Sequence, residues 1–337
     1  EDQRNANVLY IGTETGLWVS TNRGGAWVKV RANLPTVPIY EVTQHSRDNA
    51  MILATHGRAL WVLDDMTPFQ QYAKAQAAGD QVLPSAPATL RLPGNDQERG
   101  FQGDMLFLGE NPAMAGIVTY ALKAKPDSVR VVITDAKGAT VREVKADTAK
   151  AARPAAGLNF IRWDLRVEPL PEAKGPAAPA GGFGGPSRDG PLVLPGTYTA
   201  TVHANGKSIG STTLEVRADP ESQISAADRK INFDLQMELH ALNGRLTLAV
   251  AATRQANGQL AAIKKELGDT AKVPAAFRAT LDSLAKQLTP LKTQFFIQDE
   301  GEEFEFTMEI FTKVLTFKLG GLAGNLSGFL TGPSAQA

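Results

Sequence analysis

The sequence predicts a chain that is mainly β with a helical C-terminal part, ordered as blade-like strands, a β-sandwich and an antiparallel helical hairpin or bundle. Three observations lead there. Short runs that alternate apolar and polar residues recur between Val8 and Val216, which is the period of strands. Turn residues separate these runs, among them Asn205-Gly206, the strongest short hairpin signal. From Ser225 onward the apolar spacing changes to alternating fours and threes, a pattern that suits helices and not strands.

The first strands lie in 7–27, NVLYIGTETGLWVSTNRGGAW. Val8, Tyr10 and Gly12 alternate with Leu9, Ile11 and Thr13, and Leu17 to Val19 forms a second apolar run. Then comes Ser20-x-Asn22-x-Gly24-x-x-Trp27. In such a turn a short polar side chain accepts hydrogen bonds from nearby amides, Gly24 and Gly25 allow positive φ, and Trp27 packs back beneath. The spacing resembles the Asp-box (BNR) motif, S-x-D-x-G-x-x-W, with Asn22 where the motif has Asp. Asn keeps the acceptor and loses the charge, so Ser20, Asn22, Gly24 and Trp27 are read as a structural turn and not as a sugar site.

Further strands are expected at Ile39 to His45, Ala50 to Thr55 and Ala59 to Asp64. In the last, Leu60 and Val62 face one way and Trp61 and Leu63 the other. Both faces are apolar, which stacked blades require. The segment from VLYIG to ATHGRALWVLDD resembles the closing blades of the sortilin/VPS10-like BNR-repeat β-propellers of secreted bacterial proteins of the glycosyl hydrolase-like type. The resemblance covers about the first fifth of the sequence and implies a secreted or periplasmic bacterial protein. A propeller has typically about 4–8 blades, and 1–65 hold strands for fewer than two. The missing blades are therefore expected as partners, from an upstream segment or another polypeptide.

Residues 66–116 are rich in Ala, Gln, Pro and Gly without a clear period, and read as a connector. The second domain is placed at 117–218. Its strands are expected at Ile117 to Leu122, Val129 to Thr134, Val141 to Val144, Leu158 to Leu165, Gly196 to Ala204 and Ser208 to Val216. Short strands at this spacing indicate an antiparallel β-sandwich. The pattern VRVVITDAKGATVREV, AGLNFIRWDLR, LPGTYTATVHANGK resembles the FlgD-like immunoglobulin-type domain that follows such propellers. The Gly/Pro/Ala-rich insertion 172–190 is expected to be mobile.

The helical part is placed at 225–330. Leu235, Leu239, Leu242, Leu246, Ala249, Thr253, Ala256, Leu260, Ile263 and Leu267 form one heptad seam, and Phe277, Leu281, Leu284, Leu288 and Leu291 a second. Two antiparallel helices joined through these seams are expected. Ser225-x-x-Asp228 reads as a capping box. A third amphipathic stretch runs from Phe304 to Leu319.

Composition narrows the partners. The 337 residues carry 35 Lys and Arg against 35 Asp and Glu, interspersed. That removes the compositional case for nucleic acid or an anionic membrane. No run of about 18 apolar residues is present, so no membrane span is expected. No basic and apolar leader precedes the first strand, so a secretion signal is expected to have been removed or never to have been in this chain. The sequence has no Cys, which excludes disulfides and thiolate catalysis.

Few residues carry a case for chemistry. Asp64 and Asp65 are neighbours on a strand, point to opposite faces and cannot flank one glycosidic bond; a strand-end or turn role is expected. His56 and Arg58 are the candidate ligand-binding residues, since a cation and an imidazole in one turn suit an anionic ligand. The alternative is that Arg58 pairs with Asp48 or Asp64. His45, His56, His203 and His240 lack metal-binding spacing, and no metal or other cofactor is expected. Gly181 to Gly185 lacks the strand-to-helix context of a phosphate loop. Glu300, Glu302, Glu303 and Glu305 suit a helix N-terminus, with calcium binding as the lesser reading. No catalytic residue is assigned: the resemblance to glycosidase-like propellers implies either the arginine cluster and tyrosine nucleophile of sialidases on that fold or the two facing aspartates of xyloglucanase-type enzymes, and neither set can be placed residue by residue here. The functional expectation is a non-catalytic binding or scaffolding part of a secreted multidomain protein, with a protein or glycan ligand. The alternatives are the C-terminal portion of a glycoside hydrolase whose catalytic blades lie elsewhere, and a structural subunit of an extracellular assembly.

Overall fold

The computed structural model describes residues 1–31, 33–91, 114–146, 154–171, 188–267 and 274–295, with 314, 315, 318, 319, 321 and 322. Four sheets and three long helices occupy these residues, a mixture of β and α. The protein divides into two compact units, Glu1–Leu165 with Pro195–Glu221, and Arg166–Leu194 with Ser222–Ala337.

The first unit opens with two antiparallel three-stranded sheets. Strands β1 (Leu9–Thr13), β2 (Gly16–Ser20) and β3 (Val28–Lys29) form one, and β4 (Ile39–His45), β5 (Ala50–Thr55) and β6 (Leu60–Leu63) the other. Strand alternation sends Val42, Leu53 and Trp61, which pair in register, to the same face. They join Leu17, Ile39, Met51, Met66, Tyr10 and Leu63 in one apolar core. At Gly12 a Cβ would lie 2.6 Å from the carbonyl oxygen of Ile39, so the approach of β1 to β4 requires glycine.

Two sequence expectations change here. The sequence reading covers both faces of β6, but only Trp61 and Leu63 turn to the core. Leu60 and Val62 are 69% and 58% exposed. The same period of two that buries one pair puts the other on the outer face of the sheet. The second change concerns the connector. Thr67–Ala78 is helix α1, and Gln81–Val82 and Ala88–Leu90 are strands β7 and β8. Helix α1 has Pro in its first turn, where a missing amide hydrogen is harmless. Its anchors are Met66 and Gln70 at its start, not an apolar stripe, so no helical period announces it.

Strands β9 (Gly116–Leu122), β10 (Val129–Thr134), β11 (Thr140–Lys145), β12 (Gly157–Trp163), β13 (Gly196–Ala204) and β14 (Lys207–Ala218) complete the unit. One sheet has the order β11-β10-β13-β14-β8, and the other β12-β9-β7. All pairs are antiparallel except β14 with β8. The two sheets meet through Trp163, whose ring lies 5.2 Å from that of Tyr198, and through Gly116, which sits against Leu214. Val118, Tyr120, Val131, Ile133 and Val202 are buried around them, each contributing about 1.5–3 kcal/mol by leaving water.

In the second unit, α2 (Ala226–Leu267) is one helix of 42 residues and α3 (Ala275–Phe295) packs on it. The Ser225 hydroxyl accepts the Asp228 amide at 3.0 Å and donates to the Asp228 carboxylate at 2.7 Å. The seams are narrower than the heptad reading. Leu239, Leu246, Thr253 and Leu260, spaced by seven, are buried with Asn243, whereas Leu242 is 40% exposed. In α3 only Leu281 is buried, and Leu284 is 46% exposed. One helix covers a narrow stripe of its neighbour, so the second row of each seam is left half-buried or exposed. Residues 166–171 and 188–194 also belong to this unit. Val167 donates to Pro191 O at 3.0 Å, Leu170 to Arg188 O at 2.8 Å, and His240 of α2 meets Glu168 O at 3.0 Å. Of the insertion 172–190 only 188–190 are among the described residues. Gly181 to Gly185, Glu300 to Glu305 and most of the Phe304 to Leu319 stretch lie outside them.

Candidate functional site

The turn from Ser20 to Trp27 is organised around two side chains. The buried Ser20 hydroxyl accepts the Gly24 amide at 2.8 Å and donates to Asn22 Oδ1 at 3.0 Å. Asn22 Oδ1 also accepts the Ala26 amide at 2.8 Å. Gly24 takes φ +88, with the Trp27 indole beside it. Both side-chain oxygens of the motif are spent inside the turn, which suits a structural role.

His56 and Arg58 sit in the loop between β5 and β6. The loop is held by Thr55 Oγ1 donating to Ala59 O at 2.6 Å, Trp61 Nε1 to Arg58 O at 3.0 Å, and the His56 amide to Pro38 O at 3.0 Å. The structure adds Tyr40, which no sequence signal marked. A shift in register between Ile39 and Glu41 leaves Tyr40 unpaired, and such bulges re-aim side chains. Tyr40 is 68% exposed, and its ring lies 5.2 Å from the His56 ring. Asp48, one of the partners expected for Arg58, is held instead by Arg47 through two 2.8 Å hydrogen bonds. These bonds, with the guanidinium charge, lower the Asp48 pKa. Arg58 and Asp64 form no ion pair among the described residues. Tyr40 and His56 thus present two rings side by side at one end of the sheet, and the exposed Arg58 follows two residues on in the same loop.

Asp65 Oδ1 accepts the amide of Thr67 at 2.9 Å, at the entry to α1, while Asp64 is exposed. The two do not converge on one point. Among the described residues no three His, Asp or Glu side chains form a metal-binding group, and no helix is long and apolar enough to cross a membrane.

A buried polar cluster was not legible in the sequence. Asp2, 3% exposed, accepts from the amides of Arg4 and Asn5 at 2.8 Å, from the Tyr10 hydroxyl at 2.8 Å and from Gln70 Nε2 at 3.0 Å. Gln70 in turn donates to Asn49 Oδ1 at 2.8 Å. Burial, then the Asp2 hydrogen bond and charge, hold the Tyr10 phenol far above its ordinary pKa. The partners are up to 68 residues apart, and no short motif joins them. A shallow cavity of about 240 Å³ is lined by Tyr72, Gly79, Leu122, Lys123 and Leu158.

No family model matches the sequence, and no curated protein does. Among solved structures, the protein is similar to a Bifidobacterium dentium beta-glucuronidase complexed with coumarin-3-O-glucuronide, at 19% identity and TM-score 0.18. The match spans 41% of this protein and 18% of that one.

Proposed function

We propose that 1–65 are blades of a BNR-type β-propeller, that the strands within 117–218 form an immunoglobulin-like sandwich, and that the whole is a non-catalytic binding or scaffolding part of a secreted or periplasmic bacterial protein. The observation that carries this is the outer face of the β4-β5-β6 sheet. Leu60 and Val62 stand exposed there beside the half-buried Ile52, and exposed apolar side chains grouped on one sheet face mark an interaction surface. On this reading the face is covered by a further blade, from the same polypeptide or another. Tyr40, His56 and Arg58 at the end of that sheet then contact a protein or glycan ligand.

Hydrogen exchange tests the reading, by comparing this polypeptide with the protein isolated from its native source. The amides of β6 are expected to exchange faster in the polypeptide alone, and Leu60→Lys with Val62→Lys to leave its stability within about 0.5 kcal/mol. The purified polypeptide is expected to show no turnover of aryl-glycosides or xyloglucan oligosaccharides. Turnover abolished by Asp64→Asn or Asp65→Asn, or equal β6 exchange in both samples, would overturn it.

A further inference from the structure

Three Asn-Gly pairs occur in the sequence, at 205–206, 243–244 and 257–258, and the fold holds them in two kinds of backbone. Asn205 and Gly206 form the two-residue loop between β13 and β14, with φ +50 and +79, and both are exposed. The other two pairs lie inside α2. We propose that Asn205 is a self-modification site, converted through a cyclic imide to aspartate and isoaspartate, while α2 keeps Asn243 and Asn257 intact.

The chemistry needs only this protein and water. The Gly206 amide nitrogen gives up its proton to solvent base and attacks Cγ of Asn205. The bond from Cγ to the Asn205 amide nitrogen breaks, ammonia leaves, and a five-membered succinimide remains. Water then adds to one of the two imide carbonyls, so that opening yields aspartate or isoaspartate with no change of oxidation state.

The loop favours the attack at both ends. Asn205 Oδ1 accepts the amides of Asp127 at 2.8 Å and Ser128 at 3.2 Å. Those donors withdraw charge from Cγ and sit where negative charge builds during addition, the arrangement that lowers barriers to acyl transfer. The Gly206 amide has no hydrogen-bond partner among the described residues, and glycine places no side chain over its nitrogen. Within α2, the amides of Gly244 and Gly258 are committed to carbonyls four residues earlier, and Asn243 is buried. Attack there requires the helix to open first.

The product alters the sheet. Isoaspartate adds one backbone carbon to a loop whose length sets the pairing of Ala204 with Lys207 and of His203 with Ser208. The end of the β13–β14 hairpin is therefore expected to loosen with age.

The test incubates the folded protein at mildly alkaline pH and quantifies conversion at the three sites by peptide mapping, with enzymatic isoaspartyl methylation as a second readout. Asn205 is expected to convert roughly ten-fold or more faster than Asn243 and Asn257 in the folded protein, and all three at similar rates in denaturant. Asn205→Gln, which can close only a six-membered ring, is expected to abolish methylation at that loop while the circular dichroism stays unchanged. Equal conversion at the three sites of the folded protein, faster conversion in α2, or an Asn205 that persists while the denatured protein converts would each overturn the proposal.

Discussion

The phenol of Tyr10 donates to the buried carboxylate of Asp2 at 2.8 Å, and this bond ties the stretch around Asp2 to β1. Gln70 brings α1 to the same carboxylate, so one acceptor joins three separate stretches of sequence. Tyr10→Phe removes one donor and leaves Asp2 with the others, an expected loss of about 1 kcal/mol. Asp2→Ala strands Tyr10, Gln70 and two amides together, and is expected to lose about 3 kcal/mol or more. Denaturant midpoints decide between a network and a set of independent contacts. Equal losses for the two variants would count against the network.

Alkaline pH is expected to weaken the fold through its buried tyrosines. Burial raises the phenols of Tyr120 and Tyr198 from 10.0 to about 12, with the charge of Asp135 adding to the effect at Tyr198. The unfolded polypeptide releases these protons first, so their contribution is whole below pH 10 and is lost as pH rises toward about 12. The last tyrosinate absorbance is expected to appear together with loss of ellipticity. Full ionisation of the tyrosines with ellipticity intact would contradict this.

The helical pair offers a contrast between neighbouring positions. Leu246 and Leu281 are buried, and Leu242 and Leu284 are exposed. Leu246→Asp or Leu281→Asp puts an unpaired charge in the interface, with an expected loss of more than about 3 kcal/mol. Leu242→Asp and Leu284→Asp are expected to lose about 1 kcal/mol or less. Thermal melts of the four variants would refute the narrow seam if the two pairs fell equally.

In the turn after β2, Asn22→Ala removes the acceptor for the Ala26 amide and the Ser20 hydroxyl, an expected loss of about 1 kcal/mol. Asn22→Asp keeps both bonds and adds charge to the acceptor. At neutral pH it is expected to match or exceed the natural protein in stability. A destabilised Asn22→Asp variant would show that the amide group itself is needed.

Period and turn chemistry were legible in the residues. The alternation of Tyr10 with Ile11, the Ser20 to Trp27 spacing, the Asn205-Gly206 hairpin and the Ser225 cap are all local, and local backbone preference depends only on near neighbours. Of the candidate site, His56 and Arg58 were visible as residue types in one loop. Tyr40 was not, because a β-bulge is decided by how two strands pair, and pairing is long-range. Helix α1 was missed for a related reason: its anchor is Gln70 bonded to Asp2, 68 residues away.

The sequence by itself therefore determined the strongly periodic strands and helices, the chemistry of the turns and the apolar stock of each, since these follow from period, propensity and composition, while the weakly periodic β3, α1, β7 and β8 took shape only in the fold. Only the tertiary structure decided which half of each apolar pattern is covered. Leu60 and Leu242 are as apolar as Leu53 and Leu246, yet the first two stay in solvent and the second two are buried. Burial belongs to the partner surface that arrives, and three-stranded sheets and paired helices each cover one side of their neighbour.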